Sequence, residues 1–293
     1  MSFRAQFPPG KGQSSIRRAR FQDIRLDPPE VQSAEPAGSA RPLFEGALAY
    51  AEPQLLQKSV ERDIRHRQST PIKRVLSQPQ HDLLIRAGAA NPVQFAYNRV
   101  RTQILRRLQE KAWSTIAVTS PCRGTGTTLT AINTAISIAR EFNHAALLVE
   151  LDLLKPSFQR IFGLDHRDGI VDHLLRGVPI EQILLDSGID GLSIIPAGSP
   201  VSNSSELLSS PEMARFIDVL KHYDRNRIIL FDLPPVLATD DAVAFSQFAD
   251  CVLLIIEEGM TRIREIRQVL NDLGPANLLG VVLNRSSHCK PVK

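Results

Sequence analysis

Thr115-Ile116-Ala117-Val118-Thr119-Ser120-Pro121-Cys122-Arg123-Gly124-Thr125-Gly126-Thr127-Thr128 runs from a β-branched apolar stretch through a glycine-rich turn into a helical pattern. A phosphate-binding loop requires this order. Glycines let backbone N–H groups turn inward, and the helix behind them presents the positive end of its dipole to an anion. Gly124 and Gly126 stand in that position, with Arg123, Thr125 and Thr127 completing the loop. Thr128 opens the helix and offers its hydroxyl to Mg²⁺. A tight turn between two ordinary elements has the same outline. In the common pattern G-x-x-x-x-G-K-[ST], a lysine reaches the β and γ phosphates; here Thr127 holds its place. A unit charge pair at about 4 Å is worth about 4 kcal/mol at an effective dielectric near 20. Allowing for recovery by solvent and Mg²⁺, a loss of roughly one to three decades in triphosphate affinity is expected. Arg123 can supply a substitute cation or point to water.

Outward from this loop, apolar runs and helical patterns alternate. The spacing predicts helices over Val93–Glu110, Leu129–Glu141, Ser157–Phe162, Ile170–Leu175, Ile180–Asp186, Pro211–Tyr223, Asp240–Phe248 and Ile263–Leu273. It predicts strands over Thr115–Val118, Ala145–Leu151, Leu192–Pro196, Arg227–Asp232, Asp250–Glu257 and Leu278–Leu283. Continuously apolar strands alternating with helices indicate an α/β fold, a doubly wound and mostly parallel sheet covered on both faces. Such sheets bind ligands at the carboxyl ends of their strands. Three strand ends are unusual: the loop after Val118, Glu150-Leu151-Asp152, and Asp232-Leu233-Pro234-Pro235. Right-handed crossovers bring all three to one edge. Asp232 ends an apolar strand, the setting of a carboxylate that holds Mg²⁺ through water. Asp152 can lie beside it and polarise an attacking water or hydroxyl. A helix cap or loop acid is the alternative for both.

The chain has 293 residues, 43% hydrophobic and 23% charged, as a globular protein does. No apolar run approaches the roughly 20 residues of a membrane helix, and Met1–Gly10 lacks the apolar core of a secretory signal. The three scattered cysteines suit a reducing cytoplasm and show no zinc spacing. His166, His173 and His222 read as surface residues, Trp113 as packing on the sheet edge, and Cys122 as a passive small residue or a reactive thiol. Residues 1–91, rich in Pro, Gln and Arg with weak hydrophobic periodicity, read as a disordered basic tail, with short helices near Pro53–His66 and Pro71–Ser77 as options. Residues 92–293 form the nucleotide-binding domain. Arg17, Arg18, Arg20 and Arg25 make the tail either a solvated linker or a contact for an anionic membrane, nucleic acid or acidic partner.

From Phe95 to about Arg285 the segments resemble the bacterial tyrosine autokinase family of capsule and exopolysaccharide synthesis, the CpsD/CapB type and the cytoplasmic half of Wzc-like proteins. That family lies within the MinD/ParA-like P-loop ATPases. The matching pieces follow in order. They are Arg101-Thr102, the loop Thr119–Thr128, Ala131-x-Asn133-x-Ala135, and Leu148-Val149-Glu150-Leu151-Asp152-Leu153-Leu154-Lys155-Pro156. After them come Pro196-Ala197-Gly198-x-Pro200, Ser204-Ser205-Glu206-Leu207-Leu208, Phe231-Asp232-Leu233-Pro234-Pro235, Asp240-Asp241-Ala242 and Gly280-Val281-Val282-Leu283-Asn284-Arg285. The resemblance implies an ATP/ADP·Mg²⁺ site. Gly124, Gly126 and Thr128 hold phosphates and metal, Asp152 and Asp232 serve the two acidic motifs, and Asn284 meets the adenine. It also implies phosphorylation of a C-terminal tyrosine cluster on a neighbouring subunit, homo-oligomerisation and a membrane-embedded polysaccharide chain-length or export partner. The implied location is cytoplasmic, with peripheral contact at the inner membrane as an option.

The chain departs from that pattern at several positions. Thr127 replaces the loop lysine, Glu150 the first aspartate of the second motif, and Leu154 its arginine. In the oligomerisation motif E-x-x-R-x-x-R, the positions are Phe95, Asn98 and Arg101. No tyrosine follows Asn284, and Tyr50, Tyr97 and Tyr223 form no cluster. Three functions compete: a catalytically degraded family member with a regulatory or assembly role, an active kinase or ATPase using Arg123 or Lys155 as its cation, and a positioning ATPase of the MinD/ParA kind. Nucleic acid is not an expected partner.

Overall fold

Alternation along each central strand explains why the sheet is covered on both sides. Ile116, Val118, Ala146, Leu148, Leu230, Leu253 and Ile255 belong to one buried cluster, while Ala117, Leu147, Val149, Ile229, Phe231, Leu254 and Ile256 belong to the other. Successive side chains of a strand point to opposite faces, so strands apolar at every position must be buried on both. The computed structural model describes residues 92–286 apart from 143, 165–167 and 224–226, together with the strands at 2–6 and 70–71. The helices proposed at Pro53–His66 and Pro71–Ser77, and the remainder of the 1–91 tail, lie outside the described residues; Pro71 itself ends a short strand.

The strands are β1 (Ser2–Gln6), β2 (Thr70–Pro71), β3 (Thr115–Thr119), β4 (Ala145–Glu150), β5 (Leu185–Ile189), β6 (Leu192–Ile195), β7 (Arg227–Asp232), β8 (Cys251–Glu257) and β9 (Leu278–Ser286). They lie in the order β1-β9-β8-β3-β7-β4-β6-β5-β2. From β9 through β6 the neighbours are parallel. β1 pairs antiparallel with β9, and β5 antiparallel with β6. The helices are α1 (Pro92–Lys111), α2 (Thr127–Ala139), α3 (Phe158–Phe162), α4 (Ile170–Arg176), α5 (Ile180–Ile183), α6 (Ser204–Leu208), α7 (Pro211–Tyr223), α8 (Asp241–Ser246) and α9 (Ile263–Asp272).

One expected helix is corrected. Ile180–Asp186 splits into the single turn α5 and the strand β5, which forms a hairpin with β6. The cause is the turn Asp190-Gly191: Gly191 has φ 76° and a Cβ there would stand 2.7 Å from the carbonyl oxygen of Ala139. Asp-Gly between two short apolar runs is a hairpin signal. His173 is also not a plain surface residue: its ring lies 5.2 Å from that of Phe216, and Nδ1 is 2.6 Å from the carbonyl oxygen of Val178. Trp113, expected on the sheet edge, is partly buried and packs against one of the two core clusters.

α2 is buried along Thr130–Ala139, the condition of a helix wrapped by its own domain. α1 lies beside it. Arg101 donates to the carbonyl of Ser137 at 3.2 Å and pairs with Glu141 at 2.6 Å, and Ser137 donates to Asn98 Oδ1 at 3.2 Å. Arg101, the surviving arginine of the oligomerisation motif, is thereby bonded within its own chain.

Candidate nucleotide site

Strands β3, β7 and β4 are adjacent and in register, with Val118 opposite Asp232 and Asp232 opposite Glu150. Backbone bonds continue past the strand ends: Leu233 N to the carbonyl of Val118 at 3.0 Å, Val236 N to that of Ser120 at 2.9 Å, and Leu151 N to that of Asp232 at 2.8 Å. The three marked strand ends therefore form one edge, as the crossover rule predicts.

The loop at that edge depends on glycine. Gly124 and Gly126 take φ of 86° and 82°, the left-handed region that disfavours a Cβ. A Cβ on Gly126 would also collide with the Asn284 amide nitrogen. α2 begins after Gly126 without a side-chain cap, which leaves the amides of its first turn for another acceptor. Thr127, in the lysine position, lies 3.0 Å from the hydroxyl of Thr125. It closes the loop on itself with a neutral hydrogen bond. Arg123 lies across the loop mouth, with Nη1 3.3 Å from Asp152 Oδ2. Asp152 Oδ1 accepts the backbone N–H of Lys155 at 3.1 Å, while the Lys155 residue itself is exposed.

Asp232 is 1% exposed, and neither carboxylate oxygen has a hydrogen-bond partner among the described residues. Burial pushes its carboxyl well above the usual range; the Thr128 hydroxyl nearby favours the charged form, and the charges of Glu150 and Asp152 oppose it. A buried carboxylate without a partner is costly unless a cation or a proton compensates it. No group of three or more His, Cys, Asp or Glu side chains able to hold a metal is present among the described residues. One buried carboxylate, Asp232, still suits Mg²⁺, which keeps several waters and takes one or two carboxylates plus substrate phosphate oxygens. Thr128 and Asp232, with Asp152 alongside, would hold it.

Glu150 is engaged within the chain. Buried at 0% exposure, its carboxylate accepts the backbone N–H groups of Ser157, Phe158 (2.8 Å) and Ala197 (3.1 Å), and the Ser157 hydroxyl at 3.2 Å. Burial raises its pKa and these donors pull it back. It ties the start of α3 to the segment after β6. Asn284 is likewise engaged within the chain. Its Nδ2 donates to the carbonyl of Thr125 at 2.6 Å, and its Oδ1 accepts the Arg285 N–H at 2.8 Å. Asn284 thus braces the phosphate loop directly.

Reading by residue missed one pair. Ser204 donates to Asp241 Oδ1 at 2.8 Å in a buried contact, and burial first, then Asp240 and Asp152, raise the Asp241 carboxyl. The signal was present in the paired motifs Ser204-Ser205-Glu206 and Asp240-Asp241-Ala242. Tyr97 is buried, with its phenol pushed up to about 12 by burial and placed near Thr130 and Asn133. It is a core residue rather than an accessible acceptor.

A mostly parallel, doubly wound sheet with a glycine loop at a buried helix's N-terminus and an aspartate at the neighbouring strand end defines a P-loop NTPase fold. Comparison with known proteins narrows this class. EpsB of Ralstonia solanacearum is 32% identical over 205 residues, covering 69% of this chain and 27% of EpsB. The tyrosine-protein kinase YwqD of Bacillus subtilis strain 168 is 30% identical over 191 residues, covering 64% of this chain and 79% of YwqD. The chimerical protein CapA2B2 superposes with a TM-score of 0.65 at 25% identity, covering 78% of this chain and 98% of that one. No protein-family model matches. The chain belongs to the bacterial tyrosine-protein kinase family. It spans about a quarter of the length of EpsB and about four fifths of YwqD. No described helix is long and apolar enough to cross a membrane.

Proposed function

We propose that this protein is a nucleotide-responsive partner in exopolysaccharide or capsule assembly, built on the tyrosine-kinase fold but with little or no phosphoryl transfer of its own. The observation that carries the reading is Thr127. The pocket keeps its glycines, its uncapped helix and the buried Asp232, yet the position that needs a cation holds a hydroxyl bonded to Thr125. In this reading Arg123–Thr128 cradle the phosphates of ATP or ADP, and Thr128, Asp152 and Asp232 hold Mg²⁺. Asn284 fixes the loop and stands next to the nucleotide. Mg²⁺, when bound, neutralises phosphate charge. The chain's own residues supply orientation and a binding energy that differs between loaded and empty states. A membrane-embedded chain-length or export protein is the partner whose assembly this difference controls, as the names of relatives such as the succinoglycan biosynthesis transport protein ExoP of Rhizobium meliloti suggest. Full-length protein incubated with MgATP is expected to yield no phosphotyrosine above that of an Asp232→Ala control. Robust autophosphorylation that Asp232→Ala abolishes contradicts the proposal.

Such a result would favour a second reading, supported by the reach of Arg123 to Asp152 across the loop mouth. Arg123 would then replace the missing lysine in an active kinase or ATPase.

A further inference from the structure

Within Thr119–Thr128 the only charged side chain is Arg123. Thr127 contributes a hydroxyl turned to Thr125, and α2 has no side-chain cap, so an anion seated on the first turn of α2 meets backbone dipoles and this one cation. Arg123 is already engaged. Its guanidinium pairs with Asp152 at 3.3 Å, with the arginine side chain 40% and the aspartate 18% exposed. The aspartate is anchored from the other side, where Lys155 N–H donates to Oδ1. Among the described residues the Arg123 guanidinium has no second hydrogen bond or ion pair, and it is the more exposed member of the pair. The carboxylate is therefore the fixed member of the pair and the guanidinium the mobile one.

Two competitions follow. Phosphate competes with Asp152 for Arg123, and a divalent cation competes with Arg123 for Asp152. Both have the same sign, because a cation at Asp152 releases the arginine that the phosphate needs. Resting on the nucleotide reading above, we infer that Arg123 is the phosphate-binding cation of this loop and that Asp152 withholds it until a divalent cation takes the carboxylate. Nucleotide then enters with its metal and not before it. A partly exposed ion pair contributes up to about 1 kcal/mol, which is roughly fivefold in an equilibrium constant.

The test is calorimetric titration of the full chain with ADP, once in Mg²⁺ and once in EDTA, for the wild type, Asp152→Asn, Arg123→Ala and the double variant. Asparagine keeps the Lys155 N–H bond and removes only the charge. Asp152→Asn is expected to bind metal-free ADP about two- to fivefold more tightly than the wild type. Arg123→Ala is expected to weaken MgADP binding about tenfold, and the double variant to lose the gain seen in Asp152→Asn. MgADP binding by the wild type with unchanged metal-free affinity in Asp152→Asn overturns the latch and leaves the nucleotide reading standing. So does a gain that survives in the double variant. Absence of MgADP and MgATP binding by the wild type overturns both.

Discussion

Asp232 ends β7 at the sheet edge that carries the glycine loop. Its carboxylate is buried, unpartnered among the described residues and surrounded by the charges of Glu150 and Asp152, so its pKa lies above the unfolded value of about 3.9. Between those two values the native state binds more protons than the unfolded state, so stability falls as pH rises through the window. Below about pH 3.9 the penalty is absent, and above the folded pKa it is complete. Asp232→Asn is therefore expected to melt higher than the wild type at pH 7 in EDTA, by at least about 2 °C. The gap should narrow toward pH 4. Thermal unfolding at a series of pH values checks this, and a lower midpoint for Asp232→Asn at pH 7 would mean that the native carboxylate is already compensated. The chemistry of this residue was legible in the sequence because it ends an apolar strand. The tie from Asn284 to the loop carbonyl of Thr125 was not, since the two are 159 residues apart and meet only across the sheet edge.

Elements held by a single side chain are more exposed to substitution than elements held by area. α3 has five residues and no side-chain cap from its own N-cap position, Ser157. The Glu150 carboxylate performs that role from the end of β4 and bonds Ala197 as well. Aspartate, the family's residue there, is one methylene shorter and cannot reach all of these donors from the same backbone. Glu150→Asp is expected to cost about 1–3 kcal/mol. The measurement is urea denaturation, with a lower midpoint at unchanged slope; no change in midpoint would show that the donors find other partners. The same scale explains what could be read in advance. Long elements with clear periodicity, such as α1 and α7, appear within a residue or two of their expected ends. β5 was hidden because Leu184 and Leu185 continue an apolar run from α5, and only the Asp190-Gly191 turn breaks the helical reading. The five-residue α6 lies in the Ser-rich segment after Pro200, where helical periodicity is too short to register.

At the scale of the molecule, the glycine loop and the buried Asp232 share one sheet edge, and several residues in or near the resembling motifs are engaged within the chain. Thr127 bonds Thr125, Glu150 caps α3, Arg101 binds α1 to the end of α2, and Tyr97 fills the core. The mostly parallel sheet and the convergence of its strand ends were readable from the alternation of apolar runs, because parallel crossovers leave few topologies. The contacts of Arg101 and Asn284 were not, because their partners lie 36 and 159 residues away in sequence. On the proposed reading the pocket is usable but weakened at Thr127, and calorimetric titration of the full chain with MgATP and MgADP, beside Thr127→Lys, checks this. Measurable MgADP binding is expected, with MgATP binding that strengthens by about one to three decades in Thr127→Lys. Absence of binding by both proteins would contradict that reading.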